Sequence, residues 1–119
     1  MSYRSRLVGK VLGEHDRLAE LEAELGSRDA ALLALHYRWR TAFFARLDAL
    51  LEDAPADLDA ALSALWTDPA IGGRGLSALL DAHADHPAVA AAQERERRLL
   101  HRDLGVELPP RRTTTPPGR

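Results

Sequence analysis

The histidines are the side chains of this 119-residue chain best suited to hold a metal ion, since the chain has no cysteine. Helical bundles bind metals through histidines and carboxylates that project inward from facing helices. Three of the five histidines fall within long helical patterns and are the metal-ligand candidates: His15, His36 and His101. The plainer interpretation is that His15 and His36 border a seam between helices and that His101 is exposed.

The segment Glu14-His15-Asp16-Arg17-Leu18 resembles the opening of a hemerythrin-type cation-binding bundle. This resemblance covers five residues and implies a metal held inside a helical bundle. A site of that type also uses a second histidine with a glutamate four residues later, whereas here Arg40 follows His36 at that spacing. Ferritin-type sites use Glu-x-x-His, and no histidine of this chain has a glutamate at that place. We therefore predict no metal and no cofactor, and a metal- or small-ligand-binding bundle is the alternative.

Two short clusters have both a chemical and a structural interpretation. His83 and His86, close to Asp81 and Asp85, are spaced to bind adventitious zinc or nickel, but the same residues suit a capped, solvated turn. Gly72-Gly73-Arg74-Gly75 precedes a helix, where backbone amides can hold an anion. No strand comes before it and the spacings of nucleotide-binding loops are absent, so we interpret it as a turn.

Arg95 and His101 have the arginine-to-histidine spacing of a nuclease motif found in helical proteins. A chain this rich in arginine produces such a pair by chance, so the spacing does not predict a nuclease. No other pattern points to a nucleophile or an acid–base pair. We therefore predict no catalytic residue and a protein that is not an enzyme.

The composition narrows the classes of partner. The net charge of −2 disfavours nucleic acid, which usually selects a basic surplus. The first residues lead into an amphipathic segment rather than an apolar one, so we expect no membrane segment and a cytoplasmic protein. Lys10 is the only lysine, and the excess of arginine and alanine is typical of a GC-rich bacterial gene.

An apolar stripe at steps of three and four residues runs through the first half of the chain and predicts two long helices. They cover residues 4–25 and 29–53, and Gly26 with Ser27 between them favours a tight αα-hairpin. Three shorter helices are predicted after it, at residues 56–66, 75–84 and 87–104.

The second predicted helix is apolar around most of its circumference, which is typical of a central helix or of one in an oligomer interface. Arginines lie among its aromatic residues, a composition common in protein contacts. One chain of this length looks short of surface to cover the whole helix, so we predict a homodimer or a protein partner. The interface candidates are Trp39, Phe43, Phe44, Leu51 and Arg40.

The sequence thus predicts an all-α fold: a long antiparallel αα-hairpin with two or three shorter helices packed on it. Residues 1–105 form one helical bundle domain, and residues 106–119, which contain four prolines, are predicted to be a disordered tail. The function expected is that of a small non-catalytic accessory or adaptor protein that acts through helix-face contacts. Association with nucleic acid is a weaker alternative.

Overall fold

The computed structural model describes residues 14–73 and 75–111, with side chains from Arg17 onward. This part of the chain forms five α-helices and no strand, which confirms the all-α prediction: α1 Glu14–Leu25, α2 Arg28–Asp53, α3 Leu58–Trp66, α4 Leu76–Ala82 and α5 Pro87–Leu104. The predicted helical residues before 14, the side chain of His15, Arg74 and the predicted tail after residue 111 lie outside the described residues. No helix in the described part is long and apolar enough to cross a membrane.

The hairpin between α1 and α2 forms where the sequence predicts it. The Gly26 N–H donates to the Glu22 carbonyl at 2.9 Å and ends α1. The Ser27 hydroxyl accepts from the Ala30 N–H at 3.1 Å and caps the start of α2, which satisfies one of the free amides there. Leu18 is buried in the seam, so the two helices lie antiparallel against each other.

The core lies on α2 and is aromatic. The rings of Trp39 and Phe43 stack with centroids 5.0 Å apart. Trp66, at the end of α3, meets both edge-on, at 5.4 Å from Trp39 and 5.5 Å from Phe43. Offset-stacked and edge-to-face contacts are the arrangements that aromatic quadrupoles favour.

This packing corrects part of the predicted interface. Trp39 and Phe43 are fully buried within the chain, so neither can contact a partner in this fold. The helices α1, α3, α4 and α5 of the same molecule all pack against α2 and bury or partly bury most of its apolar side chains. Phe44 is half-buried, while Leu51 is exposed.

α5 runs alongside α2 in the same direction. His86 Nε2 lies 3.0 Å from Asp29 near the start of both helices, and Arg40 meets Glu96 further along both. The His86 side chain also caps α5, since its Nδ1 accepts from the Ala88 N–H at 3.2 Å. His86 is therefore the cap of a helix, as the structural interpretation of the histidine cluster predicts.

The chain after α5 corrects the predicted start of the tail at residue 106. The segment of residues 106–111, here called the C-terminal strap, packs on the helices instead of leaving them. Val106 and Leu108 are buried in the core. The Trp66 Nε1–H donates to the Pro109 carbonyl at 3.0 Å, which fixes the strap on the aromatic cluster. Two apolar side chains and several hydrogen bonds are enough to offset the ordering entropy of so short a segment.

Arg111 closes the strap over the core. Its guanidinium lies 5.1 Å from the Trp39 ring centroid and donates to Asp81 Oδ1 at 2.7 Å and to the Ser77 carbonyl at 3.1 Å. Its backbone N–H donates to Gln93 Oε1 at 2.6 Å. A cation placed on an indole face and shielded from water is a strong contact, so Arg111 ties α4 and α5 to the core of α2.

The turn before α4 requires glycine, and this gives a first prediction. Gly72 has a φ of +79°, and a Cβ there would lie 2.5 Å from Cδ2 of the buried Leu76. Gly26 has a φ of +92° but open space around it, so Gly26→Ala is the matched control. Each substitution should lower the free energy of unfolding by about 1 kcal/mol, because alanine is strained in the left-handed backbone conformation. Gly72→Ala should lower it by about a further 1–3 kcal/mol, because its Cβ overpacks the core. Urea denaturation measures the stability of both variants. Equal losses of stability in Gly72→Ala and Gly26→Ala would contradict the predicted clash with Leu76.

The contacts of Arg111 give a second prediction. Arg111→Met removes the contact on Trp39 and leaves Asp81 without its cation, so the free energy of unfolding should fall by about 2 kcal/mol or more. Arg28→Met removes an exposed pair with Glu22 and should cost less than about 1 kcal/mol. Urea denaturation of both variants tests this, and an Arg111→Met protein as stable as Arg28→Met would show that the strap contributes little.

Candidate binding groove

An open groove of about 610 Å³ lies between α2 and α5 and is called here the α2–α5 groove. Its α2 wall carries residues 33, 37 and 40, and its α5 wall carries residues 95, 98, 99 and 102. Positions seven residues apart on a helix lie about 10 Å apart, so each wall presents two helical turns. The residues that line the groove are Leu33, His36, Tyr37, Arg40, Arg95, Glu96, Arg98, Leu99 and Arg102.

The apolar part of the groove is exposed to solvent. Leu33 keeps 40% of its surface exposed and Tyr37 keeps 64%. Leu99 faces them from α5 and is half-buried. Apolar side chains that remain exposed next to polar neighbours are typical of a contact surface.

The base of the groove holds a buried carboxylate. Glu96 is 5% exposed and lies beside His36, which is also buried. His36 Nε2 lies 3.3 Å from Glu96 Oε2, and an ionised carboxylate only accepts, so this nitrogen donates. The Arg40 Nε–H donates to both carboxylate oxygens, at 3.0 and 2.9 Å.

The protonation of Glu96 follows from these partners. Burial alone would raise the pKa of its carboxyl group, because a desolvated charge is disfavoured. The hydrogen bonds and charges of His36 and Arg40 outweigh burial, so the pKa of Glu96 lies below its ordinary value. The ionised carboxylate therefore holds Arg40 at the edge of the groove.

Arginines surround the apolar residues of the groove. Arg40 lies over the Phe44 ring at 4.7 Å, which keeps its side chain extended along α2. Arg98 and Arg102 contact carboxylates of their own helix, at 3.2 Å in each case, and both are largely exposed. Arg95 is exposed and makes no ion pair with any described residue. The rim of the groove is therefore cationic.

Of the metal-ligand candidates, His36 and His101 are not brought together. His36 contacts Glu96, whereas His101 is exposed and lies 3.4 Å from Glu107 after α5. Within residues 14–73 and 75–111, no group of three or more histidines and carboxylates is arranged to hold a metal ion. The third candidate, His15, has no described side chain.

The two residues of the nuclease-like spacing, Arg95 and His101, also lie at different places in the fold. Arg95 lines the α2–α5 groove, while His101 lines a smaller pocket with Glu107, so the two do not share a site. The Gly72 carbonyl accepts from Arg38 at 3.1 Å, which uses the glycine turn to join α2 to the chain before α4. Of the predicted interface residues, Arg40 lies in the α2–α5 groove.

Sequence reasoning missed Glu96, the residue that organises the groove. The signal was present, since Glu96 falls on the apolar stripe of α5 with Val89, Ala92 and Leu100. A carboxylate on a buried stripe needs a cationic or hydrogen-bonding partner. Its partners lie about sixty residues earlier in the chain, and α5 alone does not indicate them.

Comparison of this chain with protein-family models, with curated proteins and with solved structures finds no match in any of the three.

The lowered pKa of Glu96 gives a third prediction. Glu96→Gln removes the charge that His36 and Arg40 contact, and should lower the free energy of unfolding at neutral pH by about 2 kcal/mol. Because the pKa is lower in the folded state, this stabilisation is complete above the ordinary glutamate pKa and is lost as pH falls through the folded value.

Urea denaturation at a series of pH values checks this prediction. The stability difference between the wild type and Glu96→Gln should narrow as the solution becomes acidic. Glu94→Gln, at a half-exposed glutamate on the same helix, is the matched control and should cost less than about 1 kcal/mol. A difference that does not change with pH would contradict the assignment of Glu96 as a buried, ionised carboxylate.

Proposed function

We propose that this protein is a non-catalytic interaction module, an accessory or adaptor protein that self-associates as a homodimer through the α2–α5 groove. The observation that carries the proposal is the exposure of Leu33 and Tyr37 inside a ring of arginines. Tyrosine and arginine are the residues that most often dominate binding energy at protein interfaces. The proposed location remains the cytoplasm.

The chemistry of the groove supports binding more than catalysis. Glu96 contacts Arg40 and His36 through both of its oxygens and lies beneath the surface. Its lowered pKa makes it a poor proton donor at neutral pH, and both of its oxygens already accept hydrogen bonds from Arg40 or His36. Its effect is to position Arg40, which is a contact residue on the rim.

The energetics of the groove also favour a protein partner. A phenol ring and a leucine that leave water on binding contribute roughly 25 cal/mol per Å² of apolar surface. Arginine guanidiniums around that area add directional contacts to carboxylates and carbonyls of a partner. Two turns on each of two helices also match the length of a helix laid in a groove.

Self-association is the fourth prediction, and α2 offers a matched pair of leucines to test it. Leu33, in the groove, and Leu51, outside it, are each 40% exposed on the same helix. We expect the wild type to form a dimer whose dissociation constant rises tenfold or more in Leu33→Asp, because a carboxylate replaces the apolar contact. Leu51→Asp should leave the dimer intact.

Sedimentation velocity over a wide range of concentration measures the dimer, and circular dichroism checks that both variants fold. A wild type that stays monomeric at every concentration would overturn the self-association. Equal effects of the two substitutions would place the contact outside the α2–α5 groove.

A further inference from the structure

We infer that the element occupying the α2–α5 groove is the outer face of α1 from a second copy of this chain. This inference rests on the proposed function, since it names the partner segment of the same groove. Two sets of charges support it: carboxylates of α1 that are unpaired among the described residues, and exposed arginines on the rim of the groove.

The outer face of α1 is acidic and unpartnered. Glu20 and Glu24 are exposed, and neither makes an ion pair with a described residue. The last turn of α1 contains no basic residue. Carboxylates near the negative end of a helix dipole are unfavourable, so a cation supplied from outside would relieve them.

The rim of the groove carries the complementary charge. Arg95 is exposed and unpaired among the described residues, and Arg98 and Arg102 have only exposed partners on their own helix. Surface pairs of this kind are worth little, so exchanging them for partners on a second copy costs little.

The spacing of the two sets agrees. Glu20 and Glu24 are four residues apart on one helix, as are Arg98 and Arg102 on another. Side chains at that spacing lie about 5–6 Å apart, so two carboxylates can meet two guanidiniums in one register. Pairing the two glutamates of α1 with the two arginines of α5 would set the position of α1 along the groove.

The shape of α1 suits a shallow groove. Ala19 and Ala23 are exposed beside the glutamates. Their small side chains allow two helices to approach closely, so that Leu33 and Tyr37 can pack against the backbone of α1. The opposite side of α1 packs on α2 and α4 of its own chain, which directs this acidic face outward.

The arrangement fits a dimer because each copy supplies one acidic helix and one groove. In a twofold dimer the same contact occurs twice, and both grooves are filled. Each contact joins carboxylates of one copy to arginines of the other, so raising the salt concentration should weaken the dimer.

Charge reversal on each side tests the pairing. In Arg98→Glu/Arg102→Glu the two guanidiniums of the proposed pairing become carboxylates, and in Glu20→Arg/Glu24→Arg the two carboxylates of α1 become guanidiniums. Each double variant alone should show a dissociation constant at least tenfold higher than the wild type by sedimentation velocity, since like charges then face each other.

An equimolar mixture of the two double variants is the decisive sample. Both contacts of the mixed dimer pair opposite charges, so its dissociation constant should return to within a few fold of the wild-type value. Combining the four substitutions in one chain should restore a homodimer in the same way.

Asp48→Arg/Glu52→Arg is the matched control, because these exposed acids have the same four-residue spacing on α2 and lie outside the groove. It changes the net charge as much as the α1 variant does, and should leave the dimer unchanged. All of the substituted side chains are exposed, so the substitutions do not disturb the buried core. Circular dichroism checks that each variant folds.

The outcomes separate the inference from the proposed function. A dimer that ignores the α1 charges, or one weakened by the groove variant without rescue in the mixture, overturns α1 as the occupant while self-association stands. A wild type that is monomeric at every concentration overturns both. Loss in each double variant with rescue in the mixture supports the assignment.

Discussion

Trp39 packs face to face with Phe43, edge to face with Trp66 and beneath the guanidinium of Arg111, so α2, α3 and the C-terminal strap meet at one indole. These contacts need α2 in the centre, α3 ending at Trp66 and the C-terminal strap lying across both. An aromatic side chain of this size contributes strongly only when it is enclosed on all sides. The order of the helices around α2 follows from that enclosure.

The same central helix links the core to the surface. Trp39 is buried toward α3, while the adjacent Arg40 reaches outward and is held by Glu96 of α5. Burial of a carboxylate is tolerated here because two hydrogen-bonding partners contact it. The ion pair between Arg40 and Glu96 therefore joins α2 to α5 and positions an arginine on the rim of the groove. The shape of the groove thus depends on a contact made at its buried base.

The sequence predicts the elements of this fold better than their contacts. Hydrophobic periodicity located all five helices, and α5 begins and ends at the predicted residues, because spacing on a helix is a local property. The C-terminal strap was missed because its prolines are typical of disorder, while Val106 and Leu108 gain their burial from helices folded earlier in the chain. The pairing of Glu96 with His36 depends on tertiary contact in the same way. Of the residues named from the sequence, His36, Arg40 and Arg95 line the groove, but each was named for a different pattern and none of these patterns predicted a shared site.

The apolar circumference of α2 predicts self-association, but two of the five side chains proposed for the interface, Trp39 and Phe43, are buried within the chain. Four helices of the same chain pack against α2, and both Trp39 and Phe43 are fully buried, so the predicted shortage of covering surface does not apply to these two side chains. Among the described residues, Leu33, Tyr37 and Leu51 of α2 stay exposed, and the first two line the groove between α2 and α5. A helix that is apolar on nearly all sides can be buried by short neighbours along most of its length, and the remaining strip is where a further helix has most to gain by packing.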